Sequence, residues 1–157
     1  MVGPCSGCGT RIEGGTAGCR KLLDELTLRR FPEPSYARLQ FMIVDIYALQ
    51  HPDGFCASAK SLAAHLCGLC IAQEQSDGAT ARRALQAWLS NNPKITKPPL
   101  PGTRGSMTIA DVTQLDDASA FSQAVDSWAH ETWEAYAALH AQARDWIKQA
   151  YAMRPRK

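Results

Sequence analysis

Three groups of side chains in this sequence could do chemistry. The first is Cys5-Ser6-Gly7-Cys8-Gly9, two cysteines separated by two residues and followed by glycine. That spacing lets the backbone turn tightly, so that both sulfurs face one ion while amide hydrogens reach the thiolates, as in half of a zinc site. The alternative, a loop with incidental cysteines, leaves exposed free thiols, which are a liability. The second group is Cys67-Gly68-Leu69-Cys70. Thiols three residues apart share a helical face, so they could bind one metal or form a redox pair. Redox pairs sit at the exposed start of a helix after a strand, and this pair is mid-helix with no strand before it. Two core cysteines, or a metal role for Cys70, remain. The third group is Asp45 and His65, a carboxylate and an imidazole set in apolar stretches.

The chain is organised around residues 39–52, read as one helix. Phe41, Met42, Ile43, Val44, Ile46, Tyr47, Ala48 and Leu49 leave it no polar face, so other helices should wrap it. Asp45 is the only charge in that run and needs a partner there. Gln50-His51-Pro52 ends the helix, because proline cannot continue the ladder. Ser58 is placed to cap a second helix over 59–75, with Leu62, Leu66 and Leu69 inward and a row of mostly small residues, Ser61, His65, Gly68 and Ala72, beside them. The short connection implies an antiparallel hairpin. Asp45 lies six residues before His51 and His65 seven after Ser58, so both sit about 10 Å from the turn at about 1.5 Å per residue. An Asp45–His65 pair is expected.

Cys19 opens an earlier helix, and Leu22, Leu23 and Leu26 follow on its face. It is either a third metal ligand at a helix N-terminus or a small buried hydrophobe. Arg29 and Arg30 suit that helix's C-terminal end, and Phe31-Pro32-Glu33-Pro34 breaks the chain before Ser35, a candidate cap for the central helix. A further helix is expected over 79–90, stopped by Asn91-Asn92-Pro93. The Pro/Gly-rich excursion of residues 91–107 reads as a surface wrap in preference to a mobile lid. Thr108 can cap a short turn, and Asp116 or Asp117 can start a long helical stretch with a break near Ala137. His140 lies beside its apolar stripe; His130 is given no role.

No strand candidate, internal repeat, phosphate-binding loop or nucleophile elbow is evident. The expected fold is all-α, a compact helical bundle around a buried central helix with an N-terminal metal-binding knuckle. It is read as one domain over 1–157: knuckle and loop 1–18, helical core 19–90, excursion 91–107, C-terminal helices 108–152. Lys plus Arg number 17 and Asp plus Glu 15, so the net charge of +2 makes no case for nucleic acid or an anionic membrane, and the basic tail Arg154-Pro155-Arg156-Lys157 reads as a solvated end. No apolar run approaches the roughly 20 residues that span a bilayer, and the start lacks the features of a secretory signal. A cytoplasmic protein is expected, in which six cysteines serve as thiols and metal ligands in preference to disulfides.

These landmarks resemble a family of small bacterial proteins known only as a domain of unknown function. The pattern runs Cys5-x-x-Cys8-Gly9, Gly18-Cys19, Val44-Asp45-x-Tyr47-Ala48-x-Gln50-His51-Pro52, Ser61-x-x-x-His65-Leu66 and Leu69-Cys70, ending with Trp128, Trp133 and His140. The resemblance implies a bound metal, zinc on its cysteine and histidine pattern, and carries no activity. Members of that family have a longer segment with a histidine between the knuckle and the Gly-Cys, whereas residues 11–17 are short and have none. That place is vacant or is filled by another residue such as His51.

Two functions follow. In the first, Cys5, Cys8 and Cys19 hold Zn2+ with a fourth ligand from His51, or else His140 or Cys70. The metal is then structural, and the protein is a binding or accessory module, or a metal carrier, for an unknown protein or small-molecule partner. In the second, Asp45, His51, His65 and Cys70 form an enzyme site, with Asp45 orienting His65 as a base and Cys70 as nucleophile. The bland version of that cluster is a buried polar network that sets the hairpin's register.

Overall fold

A computed structural model describes residues 1–29 and 33–153. The central helix is α2, Ala37–Gln50, and every residue from Asp45 to Gln50 is buried against α1 (Gly15–Leu28), α4 (Ala59–Glu74) and α7 (Ala118–Ala135). The wrapping is less complete than the apolar sequence suggests: near its start Phe41 is 62% exposed, with the Arg82 guanidinium 5.3 Å from its ring centroid. Helix α2 grows out of a 3-10 turn, Pro34–Tyr36, and its N-cap is Tyr36 with no side-chain cap, in place of the expected Ser35. At the other end His51 leaves helical geometry ahead of Pro52, which opens the one-turn α3, Pro52–Phe55.

Helix α4 starts at the expected cap, Ser58, which the structure extends to a capping box: Ser61 N donates to Ser58 Oγ at 3.0 Å and Ser58 N donates to Ser61 Oγ at 3.1 Å. The Asp77 carboxylate caps α5, Gly78–Ser90, and Asp117 caps α7. The long C-terminal pattern breaks at Tyr136 and a 3-10 turn, Ala137–Leu139, as its length implied. The final helix α8, His140–Ala152, then turns back over α4 and α5. Arg29 caps the end of α1, and its guanidinium donates to the carbonyls of Thr113 and Leu115, both at 2.8 Å, beside the short α6, Ile109–Thr113. The expectations for Arg30, Phe31, Pro32 and the basic tail 154–157 fall outside the described residues. No helix among the described residues is long and apolar enough to cross a membrane.

One expectation needs correction. A two-stranded antiparallel sheet pairs β1, Val2–Pro4, with β2, Arg11–Glu13, in the register Val2 to Glu13, Gly3 to Ile12 and Pro4 to Arg11. Strands of three residues are too short to show the alternation that betrays a strand in sequence. The hairpin's loop is the knuckle itself.

Residues 91–107 form no regular element and wrap the bundle as a strap. Ile95, Leu100 and Met107 pack on the core, and the Glu131 carboxylate accepts hydrogen bonds from the Ser106 and Met107 amides. The strap is tied to the central helix by Gln50, whose side-chain amide is saturated. Its Nε2 donates to the carbonyls of Arg104 (3.0 Å) and Met107 (2.7 Å), and its Oε1 accepts from Trp128 Nε1 (3.0 Å). Removing that amide strands two carbonyls and an indole N–H in the interior. Gln50→Leu is therefore expected to destabilise the fold by about 2–3 kcal/mol in urea denaturation, with faster amide exchange at Met107; an unchanged midpoint would show that the strap is held elsewhere.

Candidate metal centre

The knuckle is a tight loop because Gly9 N donates to the Cys5 carbonyl (2.9 Å) and Cys5 N to the Thr10 carbonyl (2.8 Å), with Gly9 at a φ of +79° that glycine tolerates. Helix α1 brings Cys19 and the end of α2 brings His51. One ligand atom from each of Cys5, Cys8, Cys19 and His51 lies within 4.8 Å of every other, and only Cys8 is not fully buried. His51 Nε2 is 3.4 Å from Cys5 Sγ and 3.5 Å from Cys19 Sγ, and the sulfurs of Cys8 and Cys19 are 3.8 Å apart. A tetrahedron with metal–sulfur bonds of about 2.3 Å and metal–nitrogen bonds of about 2.0 Å has S···S edges of about 3.8 Å and S···N edges of about 3.5 Å. The four side chains fit a metal ion.

The surroundings favour ligation. His51 Nδ1 is 2.7 Å from the Tyr47 carbonyl, which can only accept, so Nδ1 carries the proton and Nε2 is left with its lone pair toward the sulfurs. The Tyr47 ring stacks on the imidazole at 3.8 Å, and its hydroxyl donates to Cys19 Sγ at 3.5 Å. Burial works against ionising Cys5, but the amides of Cys8 and Gly7 outweigh it and its thiol pKa falls. The Cys19 thiol, hydrogen-bonded to Cys8, pulls the Cys8 pKa down to about 4 and has its own pushed up. Of the three thiols Cys19 holds its proton most tightly, and a metal bound there would displace it. Gly7 is required by contact, since a Cβ there would stand 2.3 Å from His51 Cδ2.

The profile of a family described as "Family of unknown function (DUF5946)" matches residues 3–137. The chain belongs to the DUF5946 family. No curated protein and no solved structure matches it. The DUF5946 match contains all four clustered residues and the Asp45–His65 hairpin, and ends before His140.

The other expected site residues lie apart. His65 Nδ1 meets Asp45 Oδ1 at 3.0 Å, and Arg82 Nη1 is 3.7 Å from Asp45 Oδ2, an oxygen with no hydrogen bond. Burial raises the Asp45 pKa against the opposing pull of His65 and Arg82. Gly68 gives the carboxylate its room: a Cβ would come within 2.3 Å of Oδ2. Cys70 points instead to Glu74 Oε2 at 3.7 Å, fully buried, and burial pushes its thiol up to about 12. Cys67 faces the Ala143 carbonyl, and Cys56 the Ala48 carbonyl. His140 stacks on Trp133 at 3.8 Å and is 2.7 Å from its carbonyl, away from the cluster; His130 is exposed. Sequence reasoning passed over Tyr47 and Arg82. Tyr47 had a signal, its spacing of four residues from His51 on one helix; Arg82 had none, as it comes from another helix.

Two substitutions test this geometry. Gly7→Ala should weaken Co2+ binding, read from the absorption bands of a titration, by about tenfold or more by displacing His51, whereas Gly3→Ala, with open space around its Cβ, should not. Equal affinities would remove His51 from the ligand set. Asp45→Asn should cost about 1–3 kcal/mol of stability, since it leaves Arg82 without its carboxylate; no loss would make the pair incidental.

Proposed function

We propose that the chain binds one Zn2+ through Cys5, Cys8, Cys19 and His51, that the ion is structural, and that the protein serves as a binding or accessory module. The observation that carries this reading is the closure of the four ligand atoms within 4.8 Å of one another. Three thiolates and one imidazole in a tetrahedron suit zinc and leave no open position for a substrate, which is the habit of structural sites. The ion ties the hairpin and the start of α1 to the end of the central helix. None of the six cysteines is paired in a disulfide, in keeping with a reducing compartment such as the cytoplasm. The near balance of charge favours a protein or small-molecule partner over nucleic acid.

The acid–base alternative draws less support. Asp45 and His65 are braced by Arg82 between packed helices, and Cys70 is a buried thiol on another face, so these groups are read as the polar register of the α2–α4 hairpin and as core.

Elemental analysis with X-ray absorption on the purified chain should find one zinc bound by three sulfurs and one nitrogen. With free zinc about a thousandfold above Kd the ion contributes about 4 kcal/mol, so chelation should lower Tm by roughly 10 °C. Cys8→Ser should lose the metal. Retention of zinc by that variant, or a shell rich in nitrogen and oxygen, would overturn the reading.

A further inference from the structure

We propose that the cavity walled by His51 binds a small organic monoanion, of which a planar carboxylate is the simplest, with its charged group on Arg104 and Arg20. The proposal rests on the metal centre only in that the centre holds His51 in the wall. The cavity, of about 220 Å3, opens between the knuckle, the first turns of α1, the corner from α2 to α3, and the strap. Ligand sites for drug-sized molecules run from about 300 Å3 upward, so this one suits a smaller metabolite.

Its polar side calls for an anion. Arg104, half-buried in the strap, lines the cavity beside the Tyr136 hydroxyl and forms no ion pair with a carboxylate among the described residues. Its Nε is buried and has no hydrogen-bond acceptor. That nitrogen has no accessible surface and so does not face the cavity; a carboxylate entering the cavity would pair with the rest of the Arg104 guanidinium, which has no carboxylate partner of its own among the described residues. Arg20 adds a second guanidinium at the mouth, 5.0 Å above the Phe55 ring. Its contact with Asp24 is exposed and 3.5 Å long, too weak to commit it. Thr16 lines the same cavity from the first turn of α1, an end with no side-chain cap and no acidic residue.

The rest of the lining is largely aromatic. Tyr47 and Phe55 meet edge to face at 5.5 Å, Tyr47 is stacked on His51, and Pro52 completes the surface. An aromatic ligand ring can meet such a lining by an edge or a face. Two negative features limit the charge: Asp53 is at the mouth, and the thiols of Cys5 and Cys19 lie behind His51. A polyanion would meet both; one negative charge placed on the arginines meets neither closely.

The test is an amide NMR titration of the full chain, loaded with zinc, using benzoate, with benzyl alcohol and inorganic phosphate as comparisons. Benzoate should give saturable shifts at Gly7, Gly54, Phe55 and Arg104. Arg104→Gln should weaken it tenfold or more, and Arg20→Gln by a smaller factor. Absence of a saturable benzoate shift overturns the proposal, as does equal binding of benzyl alcohol, equal binding of inorganic phosphate, or unchanged affinity in both variants. Zinc content measured on the same samples separates this from the structural reading. Zinc-loaded protein that ignores benzoate sinks the cavity proposal alone. Protein that takes up no zinc yet binds benzoate through Arg104 upholds the cavity and sinks the zinc site.

Discussion

A central helix whose last six residues are all buried must satisfy its final carbonyls inside the protein, where no water reaches them. Three of the groups that do so come from distant parts of the chain or from the helix's own exit. His51 Nδ1 bonds the Tyr47 carbonyl, Cys56 Sγ approaches the Ala48 carbonyl at 3.6 Å, and the Tyr136 hydroxyl donates to the Leu49 carbonyl at 2.5 Å. Satisfying this helix end and building the cluster are one act: the bond that serves the Tyr47 carbonyl also aims Nε2 at the thiols. Pro52 makes it possible by turning the chain away just where the imidazole must fold back.

The same helix is served along its length by polar groups that cross between elements. Gln50 joins it to the strap and to α7, and Asp45 joins it to α4 and α5 through His65 and Arg82. Close approach at these points depends on absent side chains. Gly7 and Gly68 sit against His51 and Asp45, where a Cβ would be 2.3 Å from an atom of each. Such contacts specify one register in an interior that is otherwise mostly apolar and could slide.

Much of this was legible in the sequence. Helix α4 was readable from Ser58, α5 and α7 from their stops and caps, and the break before α8 from the length of the apolar pattern. The Asp45–His65 pair followed from helical rise, because the two residues lie at equal distances from the short connection that joins their antiparallel helices. Cys5, Cys8 and Cys19 were readable as ligands through their spacing, but Cys19 remained open to a core role until the fold placed it by His51. His51 could not be chosen over His140 or Cys70 without knowing which helix end meets the knuckle. The three-residue strands, the uncapped start of α2 and the exposure of Phe41 depend on tertiary contacts that leave no periodicity behind.

The four clustered residues occupy positions 5 to 51, whereas the partners of Gln50 and Leu49 lie at 104, 107, 128 and 136. During synthesis from the N-terminus, all four clustered residues emerge from the ribosome before any of those partners. The groups that bury the same helix end arrive later. A metal cross-link closed that early would hold the hairpin, α1 and α2 together while their apolar faces still await α4 and α7, and the order of the residues along the chain would then favour an order of assembly.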